Sequence, residues 1–413
     1  MTNSTKTTQK TDIMQRYDTY KDSGVKWLGE IPSHWEVNKA KYLWKESFSV
    51  SENGNEELLS VSQYDGITPA KGDSRSESLQ GYKIVSENDL VINIMLAWMG
   101  GLGVSKYDGI VSPAYCVYKL TNDSNPKYLH YLYKTPLYLA EFARRSSGVI
   151  PSRWRMYTDD FGQVVSLLPP RKEQDAIVEY LDEKMAKIDA AIAQQQKMID
   201  LLNERKQIII NRAVTKGLNP NAKMKDSGVE WIGEVPEGWE VRKLKHIAKL
   251  QSGDTISSDS FTETGYPVFG GNGFRGYTNR YTNDGDYVLI GRQGALCGNV
   301  NYARGQFFAS EHAVVVYPYN KENLVWLGEV IRASNLNQYS QSAAQPGLAV
   351  SLIQNIFYPY PPKEERDEIA LYINNNIKVI EEGIENYQQQ ISLLQERKQI
   401  VINEVVTGKV KVI

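Results

Sequence analysis

The 413-residue chain is long enough for two or more domains with complete hydrophobic cores. With 41% hydrophobic and 23% charged residues, its composition is that of an ordinary globular protein, and no apolar run approaches the ~18 residues that a membrane span needs. A net charge of −2 does not indicate a nucleic-acid-binding protein, so a phosphate-binding surface would have to come from local clusters of basic residues or from a partner.

The N-terminus, residues 1–16, is rich in Thr, Lys and Gln and has no apolar core, which predicts a disordered tail rather than a secretion signal. The two cysteines, Cys116 and Cys297, argue against a disulfide framework and predict a reducing, cytoplasmic location. Each thiol is interpreted as a buried apolar residue rather than a nucleophile.

A motif near the start of the chain occurs twice. The segment KDSGVKWLGEIP at 21–32 returns as KDSGVEWIGEVP at 225–236, and each copy runs on to a Trp-Glu-Val triplet that ends at 37 and 241. The segments between the repeats, roughly 43–168 and 247–360, look unrelated. The pattern predicts two matching frames that carry two different heads, so a partner that binds the frame should bind twice.

The first head is predicted to be mixed α/β. Its apolar run Leu90–Ile94 lies between turn-forming residues and predicts a strand, whereas Lys127–Arg145 is predicted to be helical. The second head has the same character, with strands predicted at Tyr287–Ile290 and Ala313–Tyr317 and a helix over Glu322–Leu336.

A long helix is predicted after each head. Each begins after a Pro-Pro pair, the first ending at Gly217 and the second near Gly408. The segment LLNERKQI at 201–208 in the first helix returns as LLQERKQI at 393–400 in the second. About 45 residues at ~1.5 Å each is nearly 70 Å, longer than a small domain is wide, which favours the two helices pairing with each other.

The apolar spacing in both helices is 3-4, a heptad seam sustained for about five heptads and in register between the copies. The predicted seam consists of Leu181, Ile188, Ile192, Ile199 and Leu202 in the first helix and Ile373, Ile380, Ile384, Ile391 and Leu394 in the second. Lys206 and Lys398 fall on the same seam, where they either set pairing specificity or lie at exposed points. An antiparallel pair would place the heads at opposite ends.

No catalytic constellation is found in the sequence. There is no Gly-rich Lys-Ser/Thr phosphate loop, and the four histidines, His34, His130, His246 and His312, do not lie at metal-ligand spacing. Ser112-Pro113-Ala114-Tyr115 is interpreted as a turn, because it lacks the second proline of an amino-methyltransferase loop and no cofactor-binding glycine motif accompanies it.

The heads do contain polar side chains suited to reading DNA, on Gly-rich loops. Arginine favours guanine, and Asn or Gln favours adenine, in the major groove. The candidates in the first head are Gln63, Tyr64, Lys71, Arg75, Arg144, Arg145, Arg153 and Arg155. Those in the second head are Asn272, Arg275, Tyr277, Asn279, Arg280, Arg292, Gln293 and His312. For any one of them, a solvated loop residue is the alternative interpretation.

The layout resembles the specificity subunit of type I restriction–modification enzymes. The resemblance covers nearly the whole chain after about Tyr17 and rests on the doubled Asp-Ser-Gly-Val-x-Trp-x-Gly-Glu-x-Pro-x-x-Trp motif, the doubled Glu-Arg-Lys-Gln-Ile helix ending, and their order. It implies two α/β target-recognition domains (17–168 and 218–360), each reading half of a split DNA sequence. These are separated by two conserved helices (169–217 and 361–413) that form an antiparallel coiled coil and set the spacing.

The same resemblance implies a non-catalytic subunit that docks two methyltransferase subunits and, through them, restriction and motor subunits. S-adenosylmethionine, ATP and Mg²⁺ would then belong to the partners, and this chain would bind no cofactor. Two other functions stay open from the residues: a coiled-coil scaffold whose heads bind proteins, and a self-sufficient DNA methyltransferase or nuclease, which the absent cofactor and metal motifs oppose.

Overall fold

The computed structural model describes residues 15–63, 66–71, 78–150, 154–294, 296–340 and 347–412. The predicted tail, residues 1–16, lies outside these ranges except for Gln15 and Arg16, and Gln15 forms a β-bridge with Lys411. The chain divides into two compact units, with unit 1 formed by Met1–Gln194 and Gln390–Ile413 and unit 2 by Gln195–Gln389. Each long helix therefore contributes residues to both units, and the predicted domain boundaries stay predictions.

Unit 1 has mixed α/β architecture. Its strands are β1 (Tyr20–Asp22), β2 (Glu30–Pro32), β3 (Glu36–Lys39), β4 (Trp44–Ser47), β5 (Leu59–Ser62), β6 (Gly66–Pro69), β7 (Lys83–Val85), β8 (Leu90–Asn93), β9 (Leu102–Val104), β10 (Gly109–Val111), β11 (Tyr115–Leu120) and β12 (Val165–Leu168). Its helices are α1 (Pro126–Tyr133), α2 (Pro136–Arg145), α3 (Thr158–Gly162) and the first part of α4 (Arg171–Lys216).

Unit 2 is built in the same way. Its strands are β13 (Met224–Asp226), β14 (Glu234–Pro236), β15 (Glu240–Lys243), β16 (Ala248–Ser252), β17 (Phe261–Thr262), β18 (Tyr266–Gly270), β19 (Gly273–Thr278), β20 (Asn283–Asp284), β21 (Tyr287–Gly291), β22 (Val300–Ala303), β23 (Gln306–Ala309), β24 (Ala313–Pro318) and β25 (Phe357–Tyr360). Its helices are α5 (Leu324–Ala333), α6 (Val350–Ile353), the last part of α4 and the first part of α7 (Lys363–Val406), and the last part of α7 belongs to unit 1.

Each unit has its own central four-stranded sheet, and the two sheets have the same topology, which the sequence did not reveal. In unit 1 the antiparallel order is β4-β11-β8-β9, and in unit 2 it is β16-β24-β21-β22, so corresponding strands occur in the same order. The smaller sheets around them differ: unit 1 has the pairs β5-β6 and β7-β10, whereas unit 2 has a five-stranded sheet, β17-β19-β18-β23-β20. The heads are therefore related in topology although their sequences look unrelated.

The predicted helix over Lys127–Arg145 is wrong as a single element, because the chain breaks into α1 and α2. Thr135 adopts an extended backbone and its side chain accepts a hydrogen bond from the N–H of Tyr138, while Pro136 takes the first helical position. A proline lacks the N–H that would continue α1, but its fixed φ suits the start of a new helix. The predicted helix over Glu322–Leu336 is confirmed with shorter bounds, as α5.

Both repeats of the front motif are anchored to helix ends. The indole of Trp35 donates to Glu173 near the start of α4 (3.0 Å), and that of Trp239 donates to Glu365 near the start of α7 (2.8 Å). Gly217, which follows α4, has φ +71°, and a Cβ there would come within 3.0 Å of the Trp239 ring. Glycine is therefore required both by the left-handed backbone and by the buried tryptophan, which explains why the first predicted helix ends where it does.

The two long helices pair antiparallel within each unit, as the predicted coiled coil requires. In unit 1 the core joins Ile177 and Leu181 of α4 to Ile402 and Val405 of α7. In unit 2 it joins Ile210 and Val214 of α4 to Ile369 and Ile373 of α7. The fold class is confirmed: α/β heads, two long helices that form an antiparallel coiled coil, and an internal repeat.

Both seam lysines form ion pairs with the opposite helix. Lys206 Nζ lies 2.6 Å from a Glu381 oxygen in unit 2, and Lys398 Nζ lies 2.6 Å from an Asp189 oxygen in unit 1. The two pairs occupy equivalent positions of the repeat, since both lysines and both acids are offset by 192 residues. The lysines are thus neither unpaired nor fully exposed, which supports a role in setting the register.

Candidate nucleic-acid interface

The candidate residues of unit 2 converge at one end of its central sheet. Gly291, the last residue of β21, pairs with Ala313 of β24, and the N–H of Arg292 donates to the carbonyl of His312 (3.0 Å). This pairing places the side chains of Arg292 and His312 next to each other, although they are distant in sequence. Glu311 completes the group, with one oxygen 3.1 Å from His312 Nε2.

The turn between β18 and β19 packs directly on this group. A Cβ on Gly271 would lie 3.1 Å from the Gln293 carbonyl oxygen and 3.3 Å from that of His312. Asn272, at the tip of the turn, accepts a hydrogen bond from the Asn299 side chain (2.9 Å). The structure therefore brings Asn272, Arg292, Gln293 and His312 into one cluster.

The other candidates of unit 2 follow β19 away from the cluster. Arg275 packs its side chain over Gly270 and lies 5.6 Å from the centre of the Phe261 ring. Tyr277 is exposed and makes an edge contact with the exposed Phe274. Asn279 is also exposed, and the Arg280 guanidinium lies 5.0 Å from the Phe308 ring centre.

Unit 1 has an equivalent loop with different chemistry. In unit 1 the N–H of Met156 donates to the Ile94 carbonyl (3.0 Å), and in unit 2 the N–H of Leu348 donates to the Arg292 carbonyl (2.8 Å). The two donors, Met156 and Leu348, are equivalent residues of the repeat, 192 residues apart. Where unit 2 has Arg292 and Gln293, unit 1 therefore has Ile94 and the partly exposed Met95.

In unit 1 the arginine near this bond is Arg155, which precedes the donor residue Met156. Arg155 pairs with Ser147 through two backbone hydrogen bonds of 3.0 and 2.9 Å, and the neighbouring Trp154 makes an edge contact with Trp98. The corresponding position in unit 2, by the same offset, is Gly347. Both units thus have one arginine next to this bond: in unit 2 it is the acceptor residue Arg292, and in unit 1 it is Arg155, which precedes the donor residue Met156.

Arg144 and Arg145, at the end of α2 just before Ser147, are both bound to Glu141. Arg144 donates through Nε and Nη2 (2.7 and 2.8 Å), and Arg145 donates through Nε (2.6 Å). Burial opposes ionisation of Glu141, yet hydrogen bonds from the two arginines outweigh it and hold the pKa of this carboxyl below its ordinary value. Part of their positive charge is therefore neutralised within their own helix.

The remaining candidates of unit 1 lie elsewhere or outside the described residues. Lys71 is exposed, and the Gln63 carbonyl accepts a hydrogen bond from Lys134 Nζ (2.8 Å). Tyr64, Arg75 and Arg153 fall outside the described residues. The DNA-contacting roles of all sixteen candidates stay predictions.

His130 and Gln63 line a cavity of about 710 Å³ in unit 1. His130 Nδ1 accepts a hydrogen bond from the N–H of Val104 (3.1 Å), so the ring is held in its neutral form. Desolvation, with smaller contributions from Lys134, Lys106 and Lys127, lowers the pKa of His130 to about 4.

This histidine predicts acid sensitivity of unit 1. Below pH 6.5 the unfolded chain binds a proton at His130 that the folded chain does not bind until about pH 4, so folding free energy is lost as the pH falls through that window. Urea denaturation midpoints between pH 7.5 and 4 should therefore fall less steeply in His130→Gln than in the parent. The exposed His246→Gln should follow the parent, and equal slopes for all three proteins would contradict the prediction.

The doubled helix motif leaves apolar side chains in solvent at equivalent positions. Leu201 and Ile208 of α4 are 47% and 58% exposed, and their counterparts in α7, Leu393 and Ile400, are 64% and 48% exposed. Residues seven apart lie on one face of a helix, so each pair presents two apolar side chains two turns apart on one face, with an exposed Glu and Arg between them. We call these the unit 2 strip (Leu201, Ile208) and the unit 1 strip (Leu393, Ile400).

The sequence analysis missed two residues that contact the candidate cluster of unit 2. Ser252 accepts a hydrogen bond from Arg292 Nη1 (3.1 Å), and Asn299 donates one to Asn272, and both are brought there only by the tertiary fold. The sequence has no signal that would find either residue.

Neither a membrane-spanning helix nor a metal-binding group of side chains occurs among the residues that the structure describes. None of their helices has the length and apolar character needed to cross a membrane. No three of their His, Cys, Asp or Glu side chains are grouped so as to hold a metal ion.

Residues 236–399 match the family described as type I restriction modification DNA specificity domain. The EcoprrI specificity subunit of Escherichia coli is 44% identical over 138 residues, a match that covers 32% of this chain and 34% of that protein. The MjaVIII specificity subunit of Methanocaldococcus jannaschii is 25% identical over 367 residues, which covers 80% of each chain.

A solved structure has a similar fold over nearly the whole chain. It comes from work on complex assembly and conformational transition of the type I R-M system, and it matches with a TM-score of 0.67 at 15% identity, covering 91% of this chain and 98% of the other. The resemblance predicted from the doubled motifs is confirmed by these similarities.

Proposed function

Because this chain belongs to the specificity subunits of type I restriction–modification enzymes, we propose that it selects a split sequence in double-stranded DNA. Each unit reads one half, and the paired helices set the number of unread base pairs. One observation carries the proposal: two units with the same central sheet present Ile94 and Arg292 at the same backbone position. A common scaffold with different loop chemistry suits recognition of two different half-sites.

The partners that we propose are two copies of one methyltransferase subunit, with restriction and motor subunits joining the full complex. The unit 1 and unit 2 strips support two copies, because equivalent residues of the repeat are exposed in both. Two identical surfaces on one chain should bind two identical partners.

The chain itself is proposed to be non-catalytic. Its sequence has no Gly-rich phosphate loop and no glycine motif for S-adenosylmethionine. S-adenosylmethionine, ATP and Mg²⁺ are therefore assigned to the partner subunits, and this chain contributes sequence choice and assembly.

The proposal is tested by methylome sequencing of cells that express the methyltransferase subunit with and without this chain. We expect methyladenine in a split motif that disappears when the chain is absent. Replacement of the second head by that of a relative should change only one half of the motif. Absence of chain-dependent methylation, with the partner expressed and soluble, would contradict the proposal.

A further inference from the structure

We infer that Arg292 and Glu311 read one G·C base pair in the half-site of unit 2. The inference rests on the proposed function, in which unit 2 contacts DNA, and adds which residues discriminate and which base pair they require. Arginine donates two hydrogen bonds to guanine O6 and N7, and a carboxylate accepts one from cytosine N4. A cation and an anion side by side thus complement both members of one pair.

The first support is that both charged residues lie next to His312. The N–H of Arg292 donates to the His312 carbonyl (3.0 Å), and Glu311, which precedes His312, has one carboxylate oxygen 3.1 Å from His312 Nε2. Within the described part of the chain, the Arg292 guanidinium is hydrogen-bonded only through Nη1, to Ser252 Oγ (3.1 Å). Its remaining donors are left for another acceptor.

The second support is a set of buried polar atoms without partners. Arg292 Nε, Glu311 Oε2 and His312 Nδ1 are all buried and form no hydrogen bond with any described residue. Buried polar groups in folded proteins are nearly always paired, so an unpaired group calls for an explanation such as a bound water or ion. Three such atoms in one cluster show that its hydrogen bonding is incomplete within the described residues, although a base could reach only the exposed atoms of these side chains.

The third support is the rigidity of the backbone that holds Arg292. A Cβ on Gly291 would lie 2.0 Å from the Gly271 carbonyl oxygen, so the β18–β19 turn and this loop touch through backbone alone. On the other side, the N–H of Leu348 donates to the Arg292 carbonyl (2.8 Å). A side chain on a fixed backbone loses less conformational entropy on binding and discriminates better between bases.

Unit 1 provides an internal comparison, because Ile94 occupies the position of Arg292. An isoleucine cannot donate a hydrogen bond to guanine. The requirement assigned to Arg292 should therefore appear in one half of the recognised sequence and be independent of the other half.

The inference is tested by selecting bound sequences from random duplex DNA with the full chain and its methyltransferase subunit. The variants are Arg292→Gln, Arg292→Lys and Glu311→Gln, and the control is Arg304→Gln, which alters an exposed arginine of the same unit. The parent should require a G·C pair at one position of one half-site. Arg292→Gln should relax that preference by about 5- to 150-fold, the range for one bidentate contact, and Arg292→Lys, which keeps the charge but loses the planar fork, should relax it less. Glu311→Gln should weaken discrimination at the same pair, and Arg304→Gln should keep the parent motif.

Several outcomes would overturn the inference while leaving the proposed function intact. One is an unchanged motif in both Arg292 variants. Another is weaker binding to every sequence with a shallower salt dependence, since that is the behaviour of a phosphate contact. Relaxation at a pair other than G·C would also overturn it. If the parent itself shows no sequence preference, the proposed function fails and the inference fails with it. Arg292→Lys retains the charge, so a folding defect confined to Arg292→Gln would not obscure the result.

Discussion

Replacement of Glu322 by alanine is expected to destabilise unit 2 by about 3–5 kcal/mol, the cost of leaving a buried charge without its partner. Its carboxylate oxygen lies 3.0 Å from Arg366 Nε, and the two side chains are 1% and 6% exposed. The Tyr360 hydroxyl donates to the same carboxylate (2.8 Å), and the Arg366 guanidinium lies 4.2 Å from the Tyr360 ring centre. Urea denaturation of the full chain, followed by tryptophan fluorescence, measures the loss.

Unit 1 supplies the control for this prediction, because neutral residues, Ser124 and Gln174, occupy the two equivalent positions. Gln174 lies 192 residues before Arg366, and each donates to the carbonyl of the first proline of its Pro-Pro pair, Pro169 (2.8 Å) or Pro361 (2.9 Å). Ser124 precedes the asparagine that caps α1, as Glu322 precedes the one that caps α5.

The double variant Glu322→Ser with Arg366→Gln should therefore recover most of the loss, since no charge remains buried. Equal destabilisation in the single and double variants would show that the lost packing, rather than the unpaired charge, dominates at this site. That outcome would contradict the prediction.

The long helices were predictable because their signals are local. A Pro-Pro pair before each helix, a glycine after each, and a heptad pattern between them are all visible within the helix sequence. The repeat strengthened the prediction, because the same heptad positions are apolar in both helices at an offset of 192 residues. The ion pair between Arg144 and Glu141 was also predictable, because their spacing of three residues places them on one helix face.

The common sheet was not predictable, because strand order is fixed by contacts between distant segments. Buried strands such as Leu90–Asn93 and Tyr287–Gly291 need only apolar side chains of suitable size, so their sequences can diverge while the pairing persists. The cluster around Arg292 has the same origin: its members come from β16, the β18–β19 turn, and the loops after β21 and before β24. Residue type identified Arg292 and His312 as candidates, but only the pairing of β21 with β24 makes them neighbours.

In the proposed complex with two methyltransferase copies, aspartate at both Leu201 and Ile208 is expected to remove one copy. Burying one large aliphatic side chain contributes about 1.5–3 kcal/mol, so losing two should weaken that contact by roughly 100-fold or more. The unit 1 strip should be unaffected, because Leu393 and Ile400 are in the other unit. Native mass spectrometry of this chain mixed with its methyltransferase subunit would count the copies.

The repeat provides a reciprocal test and matched charge controls. Aspartate at Leu393 and Ile400 should also leave one copy, and the combined variant should leave none. Asn203→Asp and its counterpart Gln395→Asp each add one negative charge, against two in a strip variant, at exposed polar positions of the same motif, and both should retain two copies. Since all four apolar side chains are exposed, the denaturation midpoints should change little. Two copies retained by the combined variant would show that the partners bind another surface, and the exposed strips would then need a different explanation.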